Sequence, residues 1–196
     1  MIARRFAWVL LFTVLASSPA AQAATKTFTI VQGVASYTDR DIFDAWTGKT
    51  SDIKGTLSYD DQSGELLKGE VQVGLATIDS GNGVRDARMR AEFLQTDKFP
   101  TASFSVERLE GFPKFSEWRL WGLKQTGRIV GQLTIRGITR PVSFDAVAVF
   151  LGNELQITAK SQIKMSDYGI SPPSIVFVTV EDGIGLQVQA VAKPSP

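Results

Sequence analysis

The stretch TIDSGNGVRDAR, residues 77–88, decides the fold of this chain. Through a turn rich in Gly, Asn and Asp, it joins an apolar strand to a short basic helix that extends to about Leu94. Ser80 or Asn82 can cap the helix, because either side-chain oxygen can accept a hydrogen bond from its first N–H groups. Strand-like segments then return, among them GQLTIRGITRPV at residues 131–142. One helix within strand-like sequence predicts a sheet curled around an interior, with the helix at one end.

The helix carries two patterns at helical spacing. One predicts an apolar face formed by Val84, Ala87, Ala91 and Leu94. In the other, Asp86 and Arg90 stand four residues apart, which favours an ion pair on the exposed face of the helix.

Outside this helix, apolar and polar residues alternate with a period of two, as in strands with one buried and one wet face. The alternation covers residues 53–58, 70–75, 132–136, 155–158 and 184–189. Polar turns lie at residues 59–64, 151–154 and 181–183. We therefore predict an all-β fold: an antiparallel up-and-down barrel of about eight strands with one or two short helices. The alternation leaves open whether Val142 and Phe144 or Val147 and Val149 face inward.

The first 23 residues have the pattern of a signal peptide. Arg4 and Arg5 precede a short apolar run at residues 6–16, and AQA at residues 21–23 suits cleavage by a signal peptidase. The run is short for a membrane span, which needs about 20 apolar residues. We expect a single mature domain, residues 24–196, that is periplasmic or secreted and not stably inserted in a membrane.

Charge and composition exclude several functional classes. The chain has 21 basic and 20 acidic residues, and removal of the leader takes two arginines, leaving 19 basic residues. This balance argues against nucleic acid as a partner, because nucleic-acid binding needs a basic face. The sequence contains no cysteine and no histidine, which excludes thiol catalysis and a Ser-His-Asp triad. We predict no catalytic residues, no metal site and no cofactor.

Each of four polar segments could have either a functional role or an ordinary structural one. The basic helix residues, Arg85 to Arg90, could meet a phosphate head group or form local ion pairs. Residues 36–41 could line a barrel mouth or lie exposed. Residues 60–65 weakly resemble a calcium loop, but a hairpin turn suits them better. Glu181 and Asp182 could act as paired carboxylates, although neighbours on a turn usually diverge.

An aromatic cluster in residues 111–122 also has two interpretations. Its members are Phe112, Phe115, Trp118 and Trp121. They could pack in the core, or they could form a hydrophobic portal beside an apolar cavity.

The sequence resembles the YceI-like family over nearly all of the mature chain. The resemblance lies in the turn at residues 79–82, in Arg85-Asp86 and Phe93, and in the segments 99–104, 131–141 and 167–170. It implies a periplasmic, lipocalin-like barrel with a polyprenyl or quinone-like isoprenoid lying in its bore. No catalytic residue is carried over from the family.

The apolar face of the strands is the expected lining of that bore. It comprises Ile53, Leu57, Val71, Val73, Leu75, Phe104, Val106, Leu133, Ile135, Leu155, Ile157, Leu186 and Val188. The leading hypothesis is thus a non-catalytic carrier of an isoprenoid lipid. The alternatives are a protein-interaction module that uses residues 111–122 and, last, an enzyme acting on a lipid-linked substrate. The identity of the isoprenoid, recognition of its head group, the biological process and the existence of a homodimer stay open.

Overall fold

Alternating residues give this chain long antiparallel strands. A computed structural model describes residues 25–60, 62–114, 117, 122–175 and 178–195, with the backbone alone at 174–175 and 178–179. The strands are β1 (Thr25–Arg40), β2 (Ala45–Thr50), β3 (Ile53–Asp60), β4 (Leu66–Gly74), β5 (Thr101–Glu110), β6 (Gln125–Ile135), β7 (Ile138–Leu151), β8 (Glu154–Lys164), β9 (Ser174–Ile175), β10 (Val178–Thr179) and β11 (Gly183–Pro194). The predicted signal peptide, residues 1–23, lies outside the described residues.

The main sheet closes on itself. Its strands follow the order β11-β8-β7-β6-β5-β4-β3-β1-β2, and β11 also pairs antiparallel with β1. Neighbours in space are mostly neighbours in sequence, so the topology is up-and-down. The prediction of an antiparallel barrel of about eight strands is confirmed. Closure pairs the two edges that an open sheet would leave free.

One strand position of this ring is shared by β2 and β3. Both pair with β1, β3 against its first half and β2 against its second half. They are separated at Ser51 and Asp52, where the backbone N–H of Gly74 donates to the carbonyl oxygen of Asp52 at 2.7 Å. The eight-strand ring therefore has one broken member, and β2 leads away from β4 toward the helix.

The two ends of the barrel differ. At the helix end, β1 ends at Arg40, β8 ends at Lys164 and β11 begins at Gly183. At the hairpin end lie the turn from β3 to β4 and the turn from β7 to β8. The first of these is held by Asp60, whose Oδ1 accepts hydrogen bonds from the N–H groups of Gln62 and Ser63. Residues 60–65 thus form the hairpin turn that suits them better than a calcium loop; Asp61 lies outside the described residues.

The hairpin between β6 and β7 turns at the helix end through two residues with positive φ. Arg136 has φ 51° and Gly137 has φ 74°, the two left-handed residues that a type I′ hairpin turn requires. The left-handed region is unusual for arginine. A guanidinium N–H of Arg136 donates to the carbonyl oxygen of Gly169 at 2.8 Å. This bond ties the hairpin to the 3₁₀ turn Met165–Tyr168.

The helical segment has the predicted extent and an unexpected geometry. Helix α1 covers Gly83–Arg88, and a π-helix, Met89–Leu94, continues it. Asn82 caps α1, because its side-chain oxygen accepts hydrogen bonds from the N–H groups of Val84 and Arg85. Among the described residues, no helix is long and apolar enough to cross a membrane.

The predicted apolar face of this helix is wrong. Val84 is 75% exposed, and Ala87 and Ala91 are also exposed. The fourth residue of that face, Leu94, is partly buried and packs against the core, as Phe93 does. The most buried side chains of the segment are those of Asp86 and Met89, which are 3% and 9% exposed. The wider π turn changes the register of the second half of the segment, so regular α-helical spacing does not describe it.

Asp86 is therefore an anchor, and the prediction of an exposed Asp86–Arg90 pair is also wrong. Its carboxylate accepts hydrogen bonds from Ser80 N at 3.0 Å and from Ser80 Oγ at 2.5 Å. Burial alone would raise the pKa of Asp86, but these bonds and the charges of Arg90 and Arg85 outweigh it, so the pKa is lowered. The exposed i,i+4 pair is Arg88 with Glu92, at 3.1 Å.

We expect Asp86→Ala to lower the free energy of unfolding by about 2–4 kcal/mol, because it leaves the Ser80 donors unpaired in a buried site. Glu92→Ala is the matched control and should cost less than about 0.5 kcal/mol, since its ion pair is exposed. Urea unfolding measures both. Because the pKa of Asp86 is lowered, its contribution to the free energy of unfolding should be fully present above the pKa of an ordinary aspartate. This contribution should be lost as the pH falls below that value and through the lowered pKa. Equal effects of the two variants would contradict the anchoring role.

Candidate functional site

Within the described part of the chain, an apolar cavity of about 600 Å³ lies in the bore of the barrel. Its wall is formed by the inward residues of the ring strands, and Met89, Phe93 and Leu94 of the helical segment cover part of it. Most lining side chains are aliphatic or aromatic. A cavity of this size is in the range that encloses one small organic ligand.

Twelve of the thirteen residues predicted to line the bore do lie on the cavity wall. These are Leu57, Val71, Val73, Leu75, Phe104, Val106, Leu133, Ile135, Leu155, Ile157, Leu186 and Val188. That they bind a lipid stays a prediction. Ile53 is the exception: it is 7% exposed but does not line the cavity. It follows the break between β2 and β3, and its side chain packs closely against the backbone of Gly33.

The inward face of β7 is the one that contains Phe144. Phe144, Ala146 and Ala148 are 7%, 3% and 2% exposed, whereas Val147 is 37% exposed. The ring of Phe144 packs edge-on against that of Phe104, with 5.0 Å between the ring centroids. Both faces of β7 carry apolar residues, so alternation in the sequence could not distinguish them. Phe144 and Ala148 thus join the lining.

Aromatic rings cluster at the hairpin end of the bore. The ring of Phe28 stacks on Tyr59 and meets Phe150 edge-on, with 6.0 Å between centroids in each pair. Phe112, one of the four portal candidates, packs against the same cluster and lines the cavity. The other three candidates, Phe115, Trp118 and Trp121, lie outside the described residues, so the portal stays a prediction.

Polar side chains gather at the helix end. Ser36, Tyr37, Asp39 and Asp41 line the cavity there, together with Trp46 of β2 and Asn82, Arg85 and Arg88 of the helical segment. Residues 36–41 therefore lie at the mouth of the barrel. Gly48 makes room for the ring of Tyr37, because a Cβ at that position would clash with it. The cavity is apolar along its length and polar at one end.

Asp39 is the least exposed carboxylate of this mouth, at 8%. Its Oδ1 accepts a hydrogen bond from the N–H of Arg40 at 2.8 Å. Burial raises its pKa to about 6, the charges of Glu181 and Asp41 act in the same direction, and the Arg40 bond and the Arg85 charge oppose them. Tyr37 lies beside it, and burial raises its pKa too.

The arginines of the helical segment already have protein partners. Arg85 donates to the side-chain and carbonyl oxygens of Ser80 at 2.9 and 3.2 Å, and its guanidinium lies 4.9 Å from the centre of the Trp46 ring. Arg90 donates to the carbonyl oxygen of Ile78, and Arg88 pairs with Glu92. The arrangement favours local pairing over a dedicated phosphate site.

Glu181 and Asp182 do not form a carboxylate pair. Glu181 forms an ion pair with Arg40 at 2.9 Å. Asp182 accepts hydrogen bonds from Ser166 N at 2.8 Å and Ser166 Oγ at 2.6 Å, which lower its pKa. Each carboxylate thus has a structural partner of its own at the helix end.

Comparison with known proteins gives consistent matches. A family model for the YceI-like domain matches residues 21–192. A UPF0312 protein of Shewanella oneidensis is 31% identical over 132 residues, which is 63% of each chain. Protein YceI of Shigella flexneri is 27% identical over 133 residues, or 63% of this chain and 62% of the relative. These alignments therefore span less than two thirds of the relatives' length.

Solved structures share the fold. A polyisoprenoid-binding domain from Saccharophagus degradans has a TM-score of 0.68 at 12% identity, covering 89% of this chain and all of that domain. BcnA of Burkholderia cenocepacia has a TM-score of 0.66 at 17% identity, covering 82% and 96%. The YceI protein of Campylobacter jejuni has a TM-score of 0.61 at 22% identity, covering 76% and 85%. Because the family model matches most of this chain, residues 21–192, the chain belongs to the YceI-like family.

Proposed function

We propose that this protein is a non-catalytic binding protein that sequesters or carries one isoprenoid lipid, polyprenyl or quinone-like, in the bore. The observation that carries the proposal is the apolar cavity of about 600 Å³ with polar groups gathered at one end. The polyisoprenoid-binding domain from Saccharophagus degradans has the same fold, which supports the choice of ligand class.

The energetics favour a long apolar ligand. Removing apolar surface from water gains about 25 cal/mol per Å². Burial of about 400 Å² of isoprenoid tail would therefore supply roughly 10 kcal/mol before the cost of association is subtracted. Such binding requires no metal, nucleophile or net charge, in agreement with a chain that has no cysteine and no histidine.

The two ends of the bore give the ligand a direction. Its tail would lie toward Phe28 and Phe112, and its polar end would lie beside Tyr37 and Asp39. The Tyr37 hydroxyl can donate to a carbonyl oxygen or bond a hydroxyl group, and the ionised Asp39 carboxylate can accept from a hydroxyl group. The leader-like pattern at residues 1–23 supports export, so the protein would meet its ligand in the periplasm or outside the cell.

The direct test is the lipid content of protein purified from its native compartment. Solvent extraction followed by mass spectrometry should release a polyprenyl or quinone-like compound at close to one molecule per chain. Extracts of correctly folded protein without any such compound would overturn the proposal, and a bound partner protein in its place would favour an interaction module.

Filling the bore should abolish binding. Val71 lines the cavity and is partly buried, whereas its neighbour Gln72 points to the outer face and is exposed. We expect Val71→Trp to reduce the bound lipid per chain about tenfold or more, because the indole occupies the ligand's volume. Gln72→Trp is the control and should retain the lipid. Both variants should keep the far-ultraviolet circular dichroism of the wild type; equal lipid content in the two would contradict a ligand in the bore.

Asp39 should make stability depend on pH in a particular direction. Its pKa is raised from 3.8 to about 6 in the folded protein, so between these values the folded state binds more protons than the unfolded state. The contribution of Asp39 to the free energy of unfolding should therefore fall as the pH rises from about 4 to 6. Asp39→Asn should remove this slope and raise stability at neutral pH by about 1–3 kcal/mol.

Asp44→Asn is the control for Asp39, because Asp44 is an exposed carboxylate of the adjoining turn. Urea unfolding of wild type and both variants across this pH range measures the effect as a difference between curves. An Asp39→Asn curve parallel to that of the wild type would show that Asp39 ionises normally.

A further inference from the structure

We propose that Ile42, Phe43 and Val84 form a membrane-contact rim beside the polar mouth of the cavity. The rim inserts into the interfacial layer of an uncharged lipid bilayer and lets the ligand pass between bilayer and bore. This inference rests on the proposed function, since it supplies the loading step that a carrier of a water-insoluble lipid needs.

The rim stands out by exposure. Ile42, Phe43 and Val84 are 72%, 78% and 75% exposed, whereas no other large hydrophobic residue among those described exceeds 55%. Single exposed apolar residues are ordinary on a protein surface. Here the three most exposed large hydrophobic residues of the described chain lie at one end of the barrel. Apolar side chains concentrated in this way mark a contact with a protein or a membrane.

The rim is continuous with the opening of the cavity. Asp41 lines the cavity and is followed directly by Ile42 and Phe43 in the turn from β1 to β2. Val84 lines the cavity itself, in the first turn of α1. The guanidinium of Arg85 on the Trp46 ring, 4.9 Å from its centre, joins α1 to β2. The two apolar elements therefore border the same mouth.

Local hydrogen bonds hold both elements in place. Asp41 Oδ1 accepts from the N–H groups of Phe43 and Asp44 at 2.7 and 2.9 Å, and the N–H of Asp41 donates to the carbonyl oxygen of Asp44. At the other element, the side chain of Asn82 caps the helix at Val84. Because the turns are already formed, the apolar side chains project outward at little further cost in conformational entropy.

The charges near the rim decide which surface it fits. The two negative charges of Asp41 and Asp44 balance the two positive charges of Arg85 and Arg88. Arg40 is already paired with Glu181. Among the described residues beside the rim there is thus no basic cluster that would draw it to anionic lipids. Attachment would come from the burial of aromatic and aliphatic side chains in the interface, which commits the proposal to an uncharged lipid surface.

The test is flotation with phosphatidylcholine vesicles of protein purified from its native compartment. The rim variant is Ile42→Ser with Phe43→Ser. Its matched control is Leu67→Ser with Leu151→Ser, which replaces two residues that are 54% and 42% exposed at the hairpin end. We expect the wild type and the control to float with the vesicles, and the rim variant to lose flotation about fivefold or more. Melting temperatures of all three confirm folding.

The rim would be overturned by equal flotation of the rim variant and the wild type, by no flotation of the wild type, or by flotation only when phosphatidylglycerol is added. Loss of a co-purifying protein from the rim variant with unchanged flotation would also overturn it. Failure of the carrier function is distinguishable, because it is measured by lipid extraction. Lipid in the extract without flotation refutes the rim alone, and flotation through the rim without lipid refutes the carrier alone.

Discussion

The pairing of β1 with β11 is the constraint on which the rest of the structure depends. It closes the sheet, so the inward side chains face one another across an axis instead of packing on a second layer. Whether space remains inside then depends on their size. Phe104 and Phe144 pack in one cluster and Phe28 in another, whereas alanines on β7, β8 and β11 line the cavity with little bulk: Ala148, Ala159, Ala190 and Ala192. Small residues on neighbouring strands thus leave the bore open.

A second constraint sets the chemistry of the mouth. Because of the break at Ser51 and Asp52, β2 pairs with β1 but not with β4. Polar and aromatic side chains of β1, β2 and α1 therefore cover the helix end of the ring, in place of an apolar pair of strands. Asp86, held by Ser80, fixes the helix above this opening. The burial of Asp39 and its raised pKa follow from the same covering.

Period-two alternation predicted the strands and most of the bore because each inward residue of a regular strand repeats every second position. It failed where the backbone is irregular or both faces are apolar. Ile53 stands beside a strand break, and β7 carries valines outside as well as alanines and Phe144 inside. The helix length was predictable from Asn82 and the polar turn, but its buried face was not. The burial of Asp86 depends on its hydrogen bonds with Ser80, and sequence spacing reveals neither these bonds nor the π turn.

The charged groups at the mouth are largely engaged by other groups of the protein: Arg85 by Ser80 and Trp46, Arg40 by Glu181, and Asp182 by Ser166. A charged group of the proposed ligand would have to compete with these bonds, whereas its apolar chain would contact the apolar wall of the bore. Discrimination by this barrel would therefore rest on the length and shape of the apolar part, with Tyr37 and Asp39 contributing directional hydrogen bonds. At the hairpin end, the rings of Phe28, Tyr59 and Phe150 pack against one another with 6.0 Å between the centroids of each pair, so this part of the wall is built from bulky side chains.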